Sequence, residues 1–470
     1  MKHILIVTNK LLVPIFALTL FSGCKKGWLE AKSEKALVIP SAIRDYQAML
    51  DNNSNGSAPF NTSTIVLGEI GAGDFYVSNS IWASKTTLER NLYIWTSDIF
   101  GQGYVDDPAW GYAYNNILYS NVILEGIEKI KPLTNSEQIE WNQVKGSALF
   151  FRAYRHFDVA QVFCKPYNNS TANSDAGIPL RLTSYYSVVS TRASVENIYS
   201  QILSDLKTAA ALLPVDKPID IKYKLRPTKT AAYGMLARVY LSMRKYDSSL
   251  FYADKALQLH NKLMDYNLSP PILSGVFRMP RFNDEVILNM TAGSYLILAP
   301  SQSIVDSNFY RSYNVNDKRQ SLFYLLSGGA PRLVNSYLQN GDLFSGLATD
   351  EMYLIRAECS ARLGNKDAAL TDLNTLMVKR WSNNGTWTPF TATDANNALQ
   401  IILNERRKEL VFRCLRWTDL RRLNMESQFA TTLIRVINGQ TYTLPPNSPL
   451  YTLPIPPDVI ILTGMEQNPR

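Results

Sequence analysis

"LARVYLSMRKYDSSLFYADKAL", residues 236–257, has the pattern of two helices joined by a short turn. A second stretch, "LIRAECSARLGNKDAALTDLNTL" at 354–376, has the same pattern. Leu236 and Arg238 of the first stretch recur at the matching positions of the second. The sequence therefore predicts two related helical hairpins.

Small and aromatic residues of the first hairpin fall at positions typical of a tetratricopeptide repeat, in which small side chains let paired helices approach closely. These residues are Ala237, Tyr240, Tyr246, Ala253 and Ala256. The two hairpins are 118 to 120 residues apart, which is not a multiple of the roughly 34-residue repeat. We therefore expect helical hairpins separated by insertions and not a uniform array.

Three further segments have helical periodicity. Their apolar residues recur every three or four positions, as in Trp110, Tyr114, Ile117 and Leu124, then Val144, Ala148 and Phe151, then Ile198, Ile202, Leu206, Ala209 and Leu213. The first two segments predict an antiparallel hairpin, whose second helix Asn135 or Ser136 could cap. Ser194 and Pro214 are expected to begin and end the third helix. The predicted fold class is mainly α, with tetratricopeptide-like helical hairpins forming a curved scaffold, long loop insertions and a few short strands.

Three insertions interrupt the helices, at 53–108, 264–346 and 380–390, and the second contains the strand candidate "EVILNM". The first is rich in Asn, Ser, Gly and Thr, and its aromatic residues are Phe60, Phe75, Tyr76, Trp82, Tyr93, Trp95, Phe100 and Tyr104. Aromatic rings among amides suit a carbohydrate site, because a flat ring stacks on the C–H face of a sugar and polar side chains bond its hydroxyls. The alternative is that most of these rings pin long loops to the helical body.

The N-terminus has the pattern of a bacterial lipoprotein signal. "LLVPIFALTLFS" at 11–22 is a run of twelve uncharged, mostly apolar residues. Such a run is too short for a membrane span of about 20 residues but suits a secretory signal. The Ser-Gly pair before Cys24 resembles a lipobox, although Phe21 stands where leucine is usual. We predict a signal peptide over 1–23 and lipidation of Cys24; the alternative is an ordinary signal peptide with an incidental cysteine.

Charge and residue usage argue against several classes of function. A formal charge of +8 over 470 residues is mild and gives little reason to expect nucleic acid. No later uncharged apolar run approaches 18 residues, so we expect the mature protein to be attached to a membrane only through a covalent lipid anchor. Cys164, Cys359 and Cys414 are widely spaced and predict buried thiols, while His156 and His260 lack a second ligand four residues on. We predict neither a metal nor a cofactor.

The segment "LNERRKELVFRCLRWTDLRRLN" at 403–424, called the signature segment below, is dense in charged residues. Glu405 and Glu409 lie one turn apart on a predicted helix and are interleaved with basic residues, a pattern that predicts ion pairs between residues i and i+4. A glycosidase needs two carboxylates that face each other across a bond, roughly 5 to 9 Å apart. The segment is therefore predicted to form a structural ion-pair network, and not a catalytic pair or a nucleic-acid patch.

The signature segment resembles the C-terminal motif of the SusD/RagB family, in which E-R-R-x-E-L is followed by R-W-x-D-L-R-R. The matching residues are Glu405, Arg406, Arg407, Glu409, Leu410, Arg416, Trp417, Asp419, Leu420, Arg421 and Arg422. Three other stretches are similar to that family, namely "WLEAKSEKALVIPSAIRDYQAMLDN" (28–52), "EMYLIRAECSARLGNKDAALTDLNTLMVKR" (351–380) and "LPIPPDVIILTGMEQNPR" (453–470). The likeness extends, in order, over essentially the whole chain after the predicted signal peptide.

The resemblance implies a lipid-anchored, non-catalytic protein of the Bacteroidetes outer membrane, facing the cell surface, that binds nutrients, usually glycans. It implies a SusC-like TonB-dependent transporter as partner, with the helical face toward the transporter and the loop face toward the ligand. It also implies one globular unit over 24–470, with an N-terminal part at 24–215 and a C-terminal part at 216–470. Lys25 and Lys26 depart from the family, because members displayed on the surface often carry acidic residues after the lipidated cysteine.

No family motif fixes the ligand site, which lies in variable loops. We expect aromatic rings to stack on sugars and one carboxylate to accept bonds from hydroxyls. In order of preference the predicted residues are Trp82, Trp95, Tyr76 and Asp74, then Trp381 and Trp387.

Three alternatives remain: a peptide-binding member of the family, a glycoside hydrolase and a repeat-type adaptor. For a hydrolase, Asp106 with Asp107 and Glu125 with Glu128 offer only local pairs, and an adaptor would not explain the signal peptide.

Overall fold

Helices dominate the computed structural model, which describes residues 40–52, 60–63, 66–102, 108–215, 224–269, 272–334 and 337–470. The described part contains sixteen α-helices and a few short strands, which confirms the predicted fold class. Residues 42–470 pack as one compact unit. The predictions for the signal peptide, Cys24, Lys25, Lys26, Tyr104, Asp106 and Asp107 lie outside the described residues.

The helices divide into long pairs that build the scaffold and short pieces within the insertions. In chain order they are α1 (Ile43–Leu50), α2 (Val66–Gly71), α3 (Asn79–Ala83), α4 (Thr87–Tyr93), α5 (Pro108–Ile127), α6 (Asn135–Phe163), α7 (Val195–Leu212), α8 (Lys229–Ser242), α9 (Tyr246–Leu259), α10 (Ser307–Arg311), α11 (Lys318–Phe323), α12 (Thr349–Arg362), α13 (Lys366–Met377), α14 (Ala395–Glu409), α15 (Arg416–Leu423) and α16 (Pro457–Thr463).

The strands are short and form two-stranded sheets. They are β1 (Thr62–Ser63), β2 (Phe75–Tyr76), β3 (Ala176–Pro179), β4 (Arg192–Ser194), β5 (Val286–Leu288), β6 (Thr291–Ala292), β7 (Ile304–Val305), β8 (Tyr324–Ser327), β9 (Ala330–Leu333), β10 (Leu347–Ala348), β11 (Leu433–Ile437) and β12 (Gln440–Leu444). β1 pairs with β6 in parallel, and the antiparallel pairs are β2 with β7, β3 with β4, β5 with β10, β8 with β9 and β11 with β12. Two of these pairs, β1 with β6 and β2 with β7, join the first insertion to the second.

The two predicted helical hairpins are present, α8 with α9 and α12 with α13. Ala237, Ala253 and Ala256 are fully buried at the contact between the first pair. The absence of larger side chains lets the helix backbones approach, and Ser249 Oγ donates a 2.8 Å hydrogen bond to the carbonyl of Ala237 across the gap. The tetratricopeptide-like pairing predicted from the sequence is confirmed.

Equivalent arginines of the two hairpins each bind a carboxylate. Arg238 Nε donates to Glu351 Oε1 (2.8 Å), which ties the first hairpin to α12. Arg356 Nε donates to Asp372 Oδ2 (2.8 Å), which ties α12 to α13. The sequence match between these arginines therefore reflects a shared role in holding helices together.

The predicted hairpin of α5 and α6 is also present, but the predicted cap of α6 is wrong. Thr134, and not Asn135 or Ser136, is the N-cap: its Oγ1 accepts from the Glu137 amide (3.2 Å), and the Glu137 carboxylate accepts from the Thr134 amide (3.3 Å). This reciprocal arrangement is a capping box, which requires Glu three residues after the cap. The predicted limits of α7 are confirmed, because Ser194 caps it and the helix ends two residues before the proline.

The C-terminal end of α6 is closed by residues far away in the sequence. The last carbonyls of a helix lack partners within the helix and need donors from elsewhere. Here Arg421 donates to the carbonyls of residues 161 and 164, the Leu453 amide donates to that of 162 (2.7 Å), and Asn468 Nδ2 donates to that of 163 (2.8 Å). Three separate stretches of the C-terminal part thus meet at one helix end.

The three cysteines in the described part of the chain and His156 are core residues. Cys164, Cys359 and Cys414 are free and buried, as predicted, and burial raises the pKa of Cys164 and Cys359 to about 12. His156 Nδ1 lies 2.9 Å from the carbonyl of Arg152, and burial lowers the pKa of His156 to about 3, so the ring is neutral at physiological pH. Across the described ranges, no helix is both long and apolar enough to cross a membrane.

Candidate functional site

The signature segment is part of the core. In the turn between α14 and α15, Phe412 and Cys414 have φ values of 54° and 58°, which are uncommon for residues other than glycine. Trp417 packs directly over Gly68 and Gly71 of α2, where an added Cβ would lie 2.6 Å and 2.8 Å from the Trp417 side chain. The tryptophan of the family motif is therefore a packing residue and is not exposed for ligand stacking.

The two glutamates of the segment form the predicted ion-pair network, but mostly with distant partners. Arg319 of α11 binds both carboxylates, with NH1 3.1 Å from Glu409 Oε2 and NH2 on Glu405. Arg380 Nε donates to Glu409 Oε1 (2.8 Å). The pair between Lys408 and Glu405 (3.0 Å) is local but lies at i,i+3, so the predicted i,i+4 geometry is wrong.

This network disfavours acid–base chemistry at the two glutamates. Burial opposes ionisation of Glu405, but Arg319 and Lys408 outweigh it and hold the pKa of that carboxyl below its usual range. A general acid needs a raised pKa so that it carries a proton at neutral pH. Arg319 and Lys408 instead hold Glu405 ionised, as expected for a structural ion pair.

Asp74 lies beneath the surface and not on a ligand face. Its side chain is 1% exposed, and its Oδ1 accepts from Arg407 Nε (3.0 Å) and NH2 (2.7 Å). Arg416 Nε lies 3.8 Å from the same oxygen. The predicted contact of Asp74 with sugar hydroxyls is therefore replaced by an ion pair with the signature segment.

Trp95 is also enclosed. It is 5% exposed, and its indole Nε1 donates to the carbonyl of Gly71 (3.1 Å). The guanidinium of Arg435 lies 3.7 Å from the centre of the Tyr93 ring and 4.9 Å from that of Trp95. The predicted stacking of Trp95 on a sugar does not fit this position, because Arg435 and the backbone of α2 already occupy its surroundings.

Tyr76 and Trp82 lie nearer the surface. Tyr76 is 40% exposed and belongs to β2, where it pairs with Ile304 of β7. Trp82 is half-buried on α3, and its Nε1 donates to the carbonyl of Arg90 (3.2 Å), which fixes the plane of the indole. The indole of Trp82 is therefore held in place, while β2 fixes only the backbone of Tyr76; the roles of both rings as stacking platforms stay predictions.

The second insertion packs beside these rings, which the sequence did not indicate. Glu89 Oε1 accepts from the Ile297 amide (2.9 Å), and Lys85 Nζ donates to Gln302 Oε1 (3.0 Å). Leu296, next to Ile297, is 65% exposed. Below, Tyr76, Trp82 and residues 295–304 are called the candidate ligand face.

Trp381 and Trp387 form a second aromatic group. Their ring centres are 5.6 Å apart at 63°, and Trp381 Nε1 donates to Thr386 Oγ1 (3.0 Å). Asn384 Nδ2 donates to Asn316 Oδ1 (2.8 Å), which ties this loop to the second insertion. Both rings are half-buried, so the structure brings them together while their ligand-binding role stays a prediction.

A cleft of about 570 Å³ lies elsewhere, between the end of α6 and the C-terminal stretch. Its charged lining is largely committed to the protein. Arg192 donates to the carbonyls of residues 176, 177 and 466, and Lys165 pairs with Asp175 (2.7 Å). The residues predicted for ligand binding do not line this cleft.

Comparison with known proteins gives the family. A SusD-like family model described as "Starch-binding associating with outer membrane" matches residues 27–241, and the model of the "SusD family" matches residues 349–470. The chain belongs to the SusD/RagB family. SusD-family proteins are carbohydrate-binding proteins associated with the outer membrane of Bacteroidetes. Among curated proteins, no sequence matches the chain.

Solved structures share the SusD fold. A SusD superfamily protein from Bacteroides vulgatus ATCC 8482 is 22% identical, with a TM-score of 0.72 over 92% of this chain and 99% of that chain. A SusD superfamily protein from Bacteroides thetaiotaomicron VPI-5482 is 19% identical, with a TM-score of 0.72 over 91% of this chain and 100% of that chain. A laminarin-binding SusD-like protein is 17% identical, with a TM-score of 0.61 over 91% and 97%. At these identities the similarity establishes the fold.

Glu69 of this SusD-family protein gives a prediction about pH. Its carboxyl is buried on α2, and burial, followed by the charge of Asp74, raises the pKa of Glu69 to about 8. Between pH ~4.3, where the unfolded side chain titrates, and pH 8, the folded state binds a proton that the unfolded state releases, so stability falls as pH rises. Relative to Glu69→Gln, the wild type should lose up to about 4 kcal/mol of unfolding free energy between pH 5 and pH 8.

Urea unfolding at the two pH values measures this difference. Glu140→Gln, which alters an exposed carboxylate, is the control and should keep the pH dependence of the wild type. Parallel stability curves for the wild type and Glu69→Gln would show that Glu69 is ionised in the folded protein.

Proposed function

We propose that this SusD-family protein is a non-catalytic, lipid-anchored receptor that captures oligosaccharide at the outer membrane and passes it to a SusC-like TonB-dependent transporter. The observation that carries the proposal is the candidate ligand face, where Tyr76 and Trp82 stand beside the second insertion. A peptide-binding role within the same family is the alternative.

The geometry of the candidate ligand face suits a sugar. Tyr76 offers an exposed ring, and Trp82 has its indole nitrogen bonded to the backbone, so its orientation is set before a ligand arrives. An indole that is held in advance loses little conformational entropy on binding, which favours capture of a flexible oligosaccharide. Ser301 and Gln302 of the second insertion reach the surface and can supply bonds to hydroxyl groups.

The chemistry of the signature segment supports binding without cleavage. Its two glutamates, Glu405 and Glu409, are bound by buried arginines, and Asp74 is paired with Arg407. A glycosidase pair needs one carboxyl that carries a proton and one that faces it across the substrate. These three carboxylates are committed to ion pairs, which supports the non-catalytic assignment.

Lipid anchoring and the transporter are proposed from the family resemblance. We place the anchor at Cys24, after a signal peptide over 1–23, and the transporter on the helical side. An uncharged stretch on that side supports a protein partner: residues 109–124 of α5 carry no charge, and Tyr112 and Tyr119 are exposed there. Surface helices ordinarily present charged residues to water, so an uncharged outer face suits contact with another protein.

Removal of the two rings tests the proposed function. In the double variant Tyr76→Ala with Trp82→Ala, affinity for the sugar should fall at least about tenfold, because each stacked ring contributes roughly 1 kcal/mol beyond its buried area. Isothermal titration with laminarin oligosaccharides and maltooligosaccharides provides the measurement.

Two further variants make the titration specific. Tyr186→Ala removes an exposed tyrosine from a different surface and should leave affinity unchanged. Trp381→Ala with Trp387→Ala tests the second aromatic group. Unchanged sugar affinity in the Tyr76 and Trp82 double variant would refute the proposed face, and binding of peptides in place of sugars would favour the alternative function.

A further inference from the structure

We propose that Asp74 and Arg407 form a positioning pair that holds the candidate ligand face in register, so that the signature segment controls ligand binding without touching the ligand. The proposal rests on the proposed function for its consequence at the ligand. Its structural basis is a set of contacts that joins α14 to both insertions at one point.

The first contact is the ion pair itself. Arg407 donates to Asp74 Oδ1 through Nε (3.0 Å) and NH2 (2.7 Å), and Arg416 Nε approaches the same oxygen at 3.8 Å. One carboxylate of the first insertion therefore faces an arginine from each half of the signature segment. Because the Asp74 side chain is 1% exposed, water competes little for it.

The second contact links this carboxylate to the ligand face through the backbone. Asp74 immediately precedes β2, which carries Tyr76, and its own carbonyl accepts from the Asp306 amide (2.9 Å) directly after β7. The Asp306 side chain in turn caps α10 by accepting from the Phe309 amide (2.8 Å). A shift of Asp74 would therefore move β2, β7 and the start of α10 together.

The third contact joins α10 directly to Arg407. The guanidinium of Arg407 lies 4.6 Å from the centre of the Phe309 ring, so it reaches α10 as well as Asp74. The Arg407 side chain therefore contacts Asp74 of the first insertion and Phe309 of the second.

An external hold of this kind is needed because the sheet is small. β2 and β7 contain two residues each, paired as Phe75 with Val305 and Tyr76 with Ile304. Isolated two-stranded ribbons are marginally stable in water, and strands this short supply few ladder bonds to fix their register. Because two residue pairs do not fix the register of β2 and β7, the ion pair between Asp74 and Arg407 of α14 is what holds β2 in position.

Hydrogen exchange of the ligand-free protein tests the positioning pair. In Arg407→Met, the amides of 75–83 and 304–309 should exchange at least tenfold faster than in the wild type, while those of α6 stay unchanged. Arg226→Met is the control, because Arg226 also donates to one aspartate through Nε and NH2, those atoms lying 2.9 and 2.5 Å from the Asp51 carboxylate, but this pair is more exposed and away from the ligand face. It should leave both segments unchanged.

Two more variants separate positioning from general destabilisation. Arg407→Lys, which keeps the charge, should recover part of the protection. Asp74→Asn combined with Arg407→Met should be no worse than the more affected single variant, because the two residues act as one unit; if Asp74→Asn fails to fold, Arg407→Met and Arg407→Lys carry the test. Unchanged exchange in Arg407→Met, or faster exchange everywhere including α6, would overturn the proposal.

A ligand-binding measurement separates this proposal from the proposed function. Titration of Arg407→Met with laminarin oligosaccharides should show weaker binding with the Tyr76 and Trp82 rings intact. Faster local exchange in Arg407→Met, together with unchanged binding in the double ring variant, would uphold the positioning pair and refute the ligand face. The reverse combination would refute the positioning pair and uphold the face.

Discussion

Replacement of Arg421 by methionine is expected to lower the free energy of unfolding by about 3 to 5 kcal/mol. Arg421 is buried at the end of α6 and donates to the carbonyls of residues 161 and 164. Methionine keeps much of the apolar stem, but it leaves the carbonyl of 161 without its donor and that of 164 with only a long bond from Thr452 Oγ1 (3.4 Å). It also removes a cation from the negative end of the helix dipole. Urea denaturation at pH 7 measures the loss.

Arg181→Met is the matched control for this prediction. Arg181 also donates to backbone carbonyls, those of Val188 (2.8 Å) and Tyr185 (2.6 Å), but it does so in a solvent-exposed loop. Because water can replace an exposed donor, its removal should cost about 1 kcal/mol or less. Equal losses of unfolding free energy in the two variants would show that the bonds from Arg421 to the end of α6 stabilise the protein no more than exposed bonds do.

Arg380→Met should be comparably severe, with a loss of about 3 to 5 kcal/mol at pH 8. Arg380 is fully buried and binds Glu285 (2.8 Å) and Glu409 (2.8 Å) from two different elements. Its removal leaves two carboxylates in the core with a cation missing, and an uncompensated buried charge is among the costliest defects a core can carry. Chemical unfolding of both proteins provides the comparison.

The loss in Arg380→Met should depend on pH in a defined direction. In the wild type, burial raises the pKa of Glu285 to about 7 although Arg380 opposes the shift. Without Arg380 that pKa rises further, so the variant's folded state binds more protons and its stability falls more steeply as pH rises above ~4.3. The difference from wild type should therefore be smaller at pH 5 than at pH 8.

The control for Arg380 is Arg356→Met. Arg356 forms an equally short pair with Asp372 (2.8 and 2.7 Å), but its side chain is 25% exposed. Arg356 itself reaches solvent and also pairs with Asp254, whose side chain is 43% exposed, so the loss should be smaller than in Arg380→Met, and so should its change between pH 5 and pH 8. A pH-independent loss in Arg380→Met would contradict the ion-pair account.

The helical part of the fold could be predicted from the sequence because its signal is local. Apolar residues three and four positions apart mark α5 to α7, and small residues such as Ala253 mark the closely packed hairpin. The predicted cap of α6, Asn135 or Ser136, was one or two residues too late, since Thr134, Asn135 and Ser136 can all cap a helix. The Glu three residues after Thr134 was the signal that could have decided it.

The candidate site was only partly predictable because residue type does not report burial or distant partners. Asp74 and Trp95 have side chains that suit a sugar, yet one is paired with an arginine 333 positions later and the other is packed beneath Arg435. Glu405 was expected to pair within its own helix, while Arg319 reaches it from 86 positions away. Such contacts depend on how the insertions fold back, and helical periodicity carries no information on that.

The closure of α6 has a consequence for how the protein is made. Phe163 and the side chain of Asn468 that caps it are 305 positions apart, so the end of a 29-residue central helix stays open during most of the chain's synthesis. Contacts of such long range form late and slowly. A fragment that stops before Leu453 retains α5 to α9 but leaves bare carbonyls at the centre of the molecule. Proteases cleave loosely folded chains faster than compact ones, so such fragments should be degraded faster than the chain that includes Leu453 and Asn468.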